Sequence, residues 1–228
     1  MRTLALILFG SYARGTQNLS SDIDLLAITD GPRARKRTFG NTELQFVNTE
    51  DMSAMANRGD LFALHLAFEG VPIADEHGAF RSFKSKLRIR SDYEIEKQHS
   101  VDLASYLIMY GRNARTSGLV NKRLAWCIRT YCIAILAEQG RMIFSPEGIS
   151  NAFPSEAIRS LITSRRSEHS DDVRFELVRE FFEFFDLEPL IEDSEENYLS
   201  KFLLSSNHVG LATMKEMAEG EQSQSAYE

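Results

Sequence analysis

The chain is predicted to be α+β, a small mixed sheet followed by an all-helical bundle. Three observations predict it. Short apolar runs rich in Leu, Ile and Val, broken by Gly and Asp, fill the first ninety residues. From Ser91 onward apolar residues recur at a spacing near that of a helix. Gly140, Pro146 and Pro154 punctuate that second part as helix ends do.

Taken in order, residues 4–9 form a first strand that runs into Gly10-Ser11. Residues 23–28 form a second and residues 42–48 a third. A hairpin-like link from Gly31 to Gly40 joins these two and holds Arg33, Arg35, Lys36 and Arg37, either as a solvated turn or as a basic lip near substrate phosphates. Residues 50–69 read as a helix with Met52, Met55, Leu61, Leu64 and Phe68 as its core face. Residues 71–78 read as a short strand and turn, with His77 a turn residue. Helices are expected at 92–111, 119–139, 154–166, 171–186 and 195–218. Phe181, Phe182, Phe184 and Phe185 belong to core or interface. The expected division is 1–90 for the sheet domain, 91–218 for the bundle and 219–228 for a flexible acidic tail.

The segment from Gly10 to Asp24 carries the chemistry. Gly10 has no Cβ, so backbone there can approach a ligand closely. Ser11 adds a hydroxyl where a short helix can begin, and the N–H groups of a helix start suit phosphate. Asp22 and Asp24 stand two apart at the head of the second strand, so their carboxylates share a face, with Ile23 pointing oppositely into the core. Two carboxylates this close repel each other unless a cation lies between them. Oxygen-only ligands of this kind suit Mg²⁺, completed by water and substrate phosphates.

Gly10-Ser11, a short spacer and Asp22-Ile23-Asp24, with Ala13-Arg14-Gly15 between, resemble the signature of the DNA polymerase β-like nucleotidyltransferase superfamily. The resemblance covers residues 4–30. It implies that Asp22 and Asp24 ligate two Mg²⁺ ions (or Mn²⁺), that Gly10, Ser11 and Arg14 hold the triphosphate of ATP or dATP, and that pyrophosphate is released. The superfamily pattern also asks for a third acid on a neighbouring strand. Glu43, Gln45 and Val47 share one face of residues 42–48. Glu43 matches the acid of the aminoglycoside nucleotidyltransferases, whereas alignment to the minimal nucleotidyltransferases puts Gln45 there; Glu43 is favoured. A basic residue from the helical domain often reaches the triphosphate in such enzymes. Lys122 or Arg123 is the candidate here, or else both sit on an exposed helix face.

Bulk properties narrow the classes. With 43% hydrophobic and 26% charged residues, the composition is that of an ordinary soluble globular chain. No apolar run approaches the roughly 18–20 residues needed to span a bilayer. The chain opens on a strand, which argues against a signal or transit peptide, so a cytoplasmic location without membrane insertion is expected. Cys127 and Cys132 read as buried free thiols. The net charge of −7 argues against general affinity for duplex nucleic acid, and ten of the 33 acids but only two of the 26 basic residues lie from Asp186 onward.

The tail holds a single aromatic residue, Tyr227, next to the end. A flexible tail can deliver a phenolic hydroxyl to a metal site, and a terminal tyrosine primer resembles that of the nucleotidyltransferases in Hailong anti-phage systems. That resemblance implies dATP as substrate, short single-stranded DNA as product and a membrane effector as partner. Three other expectations stand beside it. The chain could adenylylate a protein, as minimal nucleotidyltransferases do with toxins. It could modify a small molecule as aminoglycoside-type transferases do, with a base from Glu94, Glu96 or Glu138. Or it could be a catalytically dead nucleotide-binding module.

Overall fold

The computed structural model describes residues 1–19, 21–31, 36–112, 116–163 and 171–225, with only the backbone of Asp171 and of 220–225. They divide into two compact units, Met1–Ser91 with Leu136–Ser145, and Asp92–Ile135 with the residues from Pro146 onward.

The first unit contains β1 (Thr3–Phe9), α1 (Gly10–Arg14), β2 (Ile23–Thr29), β3 (Arg37–Phe39), β4 (Thr42–Asn48), α2 (Thr49–Arg58), α3 (Leu61–Glu69), β5 (Val71–Ala74) and α4 (Ala79–Ser85). The strands form one mixed sheet in the order β3-β4-β2-β1-β5. β2 is central, antiparallel to β1 and parallel to β4, while β5 and β3 close the two edges antiparallel. The expected link is a hairpin in part: β3 pairs back on β4. Arg33 and Arg35 lie outside the described residues.

Alternation along the strands sets one core. Ala5, Ile7 and Phe9 of β1 stand opposite Ile28, Leu26 and Asp24 of β2, and so share a face with them. The hydrophobic members of that face, with Val47, pack against Met52 and Ala56 of α2, Ala63, Leu66 and Ala67 of α3, and Phe80 and Phe83 of α4. Asp24 therefore lies on the same face as the helix-packed core, at its rim. Ile23, expected to point into the core, faces the other side and is only half-buried.

The helix expected over 50–69 is two helices. Gly59 takes the left-handed conformation (φ 68°) that ends α2, and Asp60 then starts α3. A Cβ at Gly59 would sit 2.6 Å from the Arg88 carbonyl oxygen, so chain 59–60 also accommodates the segment after α4. At the other end of α2 the Asn48 side chain accepts from Asp51 N–H at 2.7 Å, and Glu50 and Asp51 favour the positive helix start. Asp75 accepts from Phe80 and Arg81 N–H, which orients α4; His77 lies in the turn before it.

The second unit holds α5 (Glu94–Tyr110), α6 (Ser117–Glu138, whose last residues pass into the first unit), α7 (Pro146–Ala152), α8 (Glu156–Thr163), α9 (Asp171–Phe184), α10 (Glu195–Leu204) and α11 (His208–Ser225). The helix expected over 195–218 breaks at Ser205–Asn207, where Ser206 has φ 58°. Asn207 holds the break: its Nδ2 donates to the His99 carbonyl, and its Oδ1 accepts from Gly210 N–H. α11 then runs through Ser225, beyond the expected end at 218. Tyr106, Tyr110, Tyr198 and Phe202 form an aromatic cluster, and the Tyr106 and Tyr198 hydroxyls donate to Glu195 and the Leu190 carbonyl. Phe181 and Phe182 are buried and Phe185 packs on Tyr131, but Phe184 is exposed. Cys127 and Cys132 are buried and free, and burial pushes both thiols up.

Asp102 in α5 is fully buried; its Oδ1 accepts from Gln98 while its Oδ2 is unpartnered. Burial raises its carboxyl above the usual range, outweighing Gln98, Lys201 and His99. An acid with a raised folded-state pKa binds its proton more tightly when folded. Its contribution to stability is fully present below about pH 4 and is lost as pH rises through the folded-state value. We expect Asp102→Asn, which keeps the Oδ1 acceptor and cannot ionise, to melt higher than wild type at about pH 8, with the gap closing toward about pH 4. Thermal melts across that range check it, and a gap independent of pH would exclude the acid as its source.

Candidate active site

The site is built where β1 ends. Phe9 is extended, and Gly10 turns at φ +73° directly into the five-residue α1. The helix closes at once on Gly15 (φ +70°), whose N–H returns to Tyr12, with Thr16 N–H returning to Ser11. So short a helix leaves its leading N–H groups without intrahelical acceptors. Because Phe9 pairs with Asp24 across the β1–β2 ladder, the next residue meets the Asp24 carboxylate. A Cβ on Gly10 would lie 2.5 Å from Asp24 Oδ2. The two halves of the sequence motif are thus in direct contact, and glycine is required there for space as well as for φ.

The parallel β2–β4 register brings the acids together. Asp24 stands opposite Glu43, and the two share a face. Gln45 stands opposite buried Leu26, one step deeper. Glu43, not Gln45, is therefore level with Asp24. Asp22 immediately precedes β2, two residues from Asp24. Lys36 Nζ lies 2.5 Å from Glu43, just before β3 brings its chain alongside β4. Among the described residues, no group of three or more His, Cys, Asp or Glu is gathered closely enough to hold a metal ion. The donor set still fits a hard divalent cation: it is all carboxylate, and adjacent acids on one face favour a cation between them. A lysine ammonium already occupies such a place at Glu43.

Arg14, the last residue of α1, donates from Nη1 to Glu69 Oε2 of α3 at 2.6 Å, with both side chains largely buried. His65 Nε2 approaches the same oxygen at 3.1 Å but off the axis of a good hydrogen bond. Its ring stacks on Phe144 at 5.1 Å. Burial pushes the Glu69 carboxyl up, but the contacts from His65 and Arg14 outweigh it and hold it below the usual range. Sequence reading missed Glu69 and His65. The signal is there: α3 is apolar except for its middle and end, where His65 and Glu69 stand four apart on one face.

The remaining candidates, Lys122, Arg123 and Tyr227, lie in the second unit or outside the described residues. Lys122 and Arg123 are in α6 of the second unit, where Lys122 is exposed and Arg123 pairs with Glu216 of α11 at 2.7 Å. Tyr227 lies outside the described residues.

Gly10 and Gly15 form a natural pair of tests. Alanine at either meets the left-handed backbone penalty of about 1–2 kcal/mol. Gly15 has nothing within 4 Å of its would-be Cβ, whereas Gly10 has Asp24. We expect Gly10→Ala to destabilise more than Gly15→Ala, by at least about 1 kcal/mol in urea unfolding. Equal costs would mean that the Asp24 side chain simply turns aside.

Residues 3–110 match the family model for the nucleotidyltransferase domain. No curated protein matches the chain. The crystal structure of a nucleotidyltransferase-like protein from Exiguobacterium sibiricum 255-15 is 19% identical, with 94% of this chain and 74% of that one covered; at a TM-score of 0.32 it carries no weight. The glycine turn, the Asp-x-Asp strand and the parallel strand with its acid all fall inside the span that matches this family model.

Proposed function

We propose that the chain transfers a nucleoside monophosphate from a (d)NTP to a hydroxyl and releases pyrophosphate. The observation that carries this reading is the seating of Asp24 between Gly10 and Glu43, inside the span that matches the nucleotidyltransferase domain. Asp22, Asp24 and Glu43 would hold Mg²⁺ or Mn²⁺, which when bound neutralises phosphate charge and lowers the pKa of the acceptor hydroxyl. Gly10 and Ser11 accept the triphosphate on the leading N–H groups of α1, and Arg14 adds a fixed cation beside them. The acceptor oxygen bonds to the α-phosphorus as the bond from that phosphorus to the pyrophosphate oxygen breaks. The acceptor's proton passes to solvent or a carboxylate, and pyrophosphate leaves. Lys36 must release Glu43 for the full carboxylate set to form, and its ammonium is then free to meet phosphate oxygens.

For the acceptor, the finer reading is the hydroxyl of Tyr227, extended from dATP into short single-stranded DNA in anti-phage defence. Its support is sequence alone: a single tyrosine two residues beyond α11. No described helix is long and apolar enough to cross a membrane; in this reading the membrane effector is a partner protein.

Incubation with each (d)NTP and Mg²⁺, followed by a pyrophosphate assay and intact mass, tests both levels. Asp24→Ala is expected to lower pyrophosphate release by at least about a hundredfold, the scale of a lost metal ligand, without unfolding the chain. A mass ladder that disappears in Tyr227→Phe supports self-priming. Pyrophosphate release with an unmodified chain points instead to a protein or small-molecule acceptor. Absence of nucleotide-dependent release in wild type would make the chain a nucleotide-binding module without catalysis.

A further inference from the structure

The nucleotide reading leaves Glu69 and His65 without a role, yet Glu69 pairs with Arg14, the last residue of the helix that begins at Gly10, and His65 lies against Glu69. Arg14 spends Nη1 on Glu69 at 2.6 Å. Its Nε is buried and has no partner. Glu69 is approached by His65, whose ring is held by Phe144 on one face and meets Phe9 and Phe62 edge-on. Phe9 is the residue before Gly10, so the same packing that fixes His65 also fixes the entry to the turn.

We propose that Glu69 is a positioning residue for nucleotide binding: it anchors the guanidinium of Arg14, the last residue of the helix that begins at Gly10, so that Arg14 meets a triphosphate in one orientation, and His65 packs against Glu69. The proposal rests on the reading of that turn as a triphosphate site. A guanidinium is planar with five N–H donors in a fixed fork, so anchoring one arm sets the direction of the others. An unanchored arginine would have to freeze several torsions on binding, a cost of the kind that preorganisation removes. Glu69 suits the task because it stays ionised where it sits. The opposite role is also chemically possible: a carboxylate that competes with the nucleotide for Arg14.

Calorimetric titration of the full chain with Mg²⁺ and a non-hydrolysable ATP or dATP analogue separates the two. Glu69→Gln is expected to weaken binding about tenfold or more, the scale on which partners of ligating groups act. Arg14→Ala is expected to weaken it at least as much, and Arg14→Ala/Glu69→Gln no more than Arg14→Ala alone, because Glu69 acts through Arg14. Thermal melts accompany each variant. If Glu69→Gln does not fold, Glu69→Asp keeps the charge, shortens the reach and carries the same expectation, and His65→Phe keeps the stack while releasing Glu69, with a smaller loss. Unchanged or tighter binding in the folded Glu69 variants, or losses that multiply in the double variant, would overturn the proposal while leaving the nucleotide reading intact. A wild-type chain that binds no analogue would overturn both.

Discussion

The site hangs on the contact between the Gly10 backbone and the Asp24 carboxylate. β1 and β2 pair antiparallel, and the last rung of their ladder is Phe9 with Asp24. The chain must then leave the sheet at once, because a side chain on the next residue would overlap a carboxylate oxygen. Glycine alone meets that demand at φ +73° without strain. The turn that results starts a helix, and the helix places its leading N–H groups beside an acid. Free N–H groups and a carboxylate are thereby set next to each other by one rung of a β-ladder. Such a juxtaposition suits a ligand that carries both signs, as a metal–triphosphate does.

The parallel pairing of β2 with β4 extends this arrangement sideways. Parallel neighbours need a crossover, and here it runs through β3, which returns antiparallel on β4. That return puts Lys36 against Glu43. The ammonium compensates part of the charge that Asp24 and Glu43 concentrate on one face. Compensation by a side chain rather than by burial lets the acids remain half-exposed at the rim, while Leu26 and Ile28 on the same face are fully packed. The core and the site therefore share a sheet face but not a depth.

Much of this was legible in the sequence, and the parts that were not have a common cause. The strands at Leu6, Leu25 and Leu44 announced themselves by apolar runs bounded by Gly and Asp, which is local information. The Gly-Ser to Asp-x-Asp order was likewise local. The choice between Glu43 and Gln45 was not: both share a face, and only the β2–β4 register decides which stands level with Asp24. The break at Gly59 is masked in the pattern because apolar spacing continues across it, although a glycine followed by Asp60 is a stop and a start. The break at Ser206 has no glycine at all, and is held by Asn207 reaching His99, a contact 108 residues distant in sequence. The motif around Arg14 suggests a phosphate ligand, but its partner Glu69 lies 55 residues on and shows in sequence only as the acid that ends an otherwise apolar helix, four residues after His65.

That pairing differs in kind from the exposed ion pairs among the described residues. Arg179–Glu176 joins exposed side chains along one helix, where the gain is a fraction of a kcal/mol at most, about 0–1 kcal/mol for such pairs generally. Arg14–Glu69 is largely desolvated, and a buried pair is weak evidence of stability, since losing water costs each charge about as much as the partner returns. What burial does supply is direction. Screening by solvent is reduced, and the aromatic packing of Phe9, Phe62 and Phe144 leaves His65, and through it Glu69, little freedom to turn. A charge pair that adds little to folding but holds one guanidinium in one orientation draws its interest from where that arginine sits, at the end of the helix that begins at Gly10.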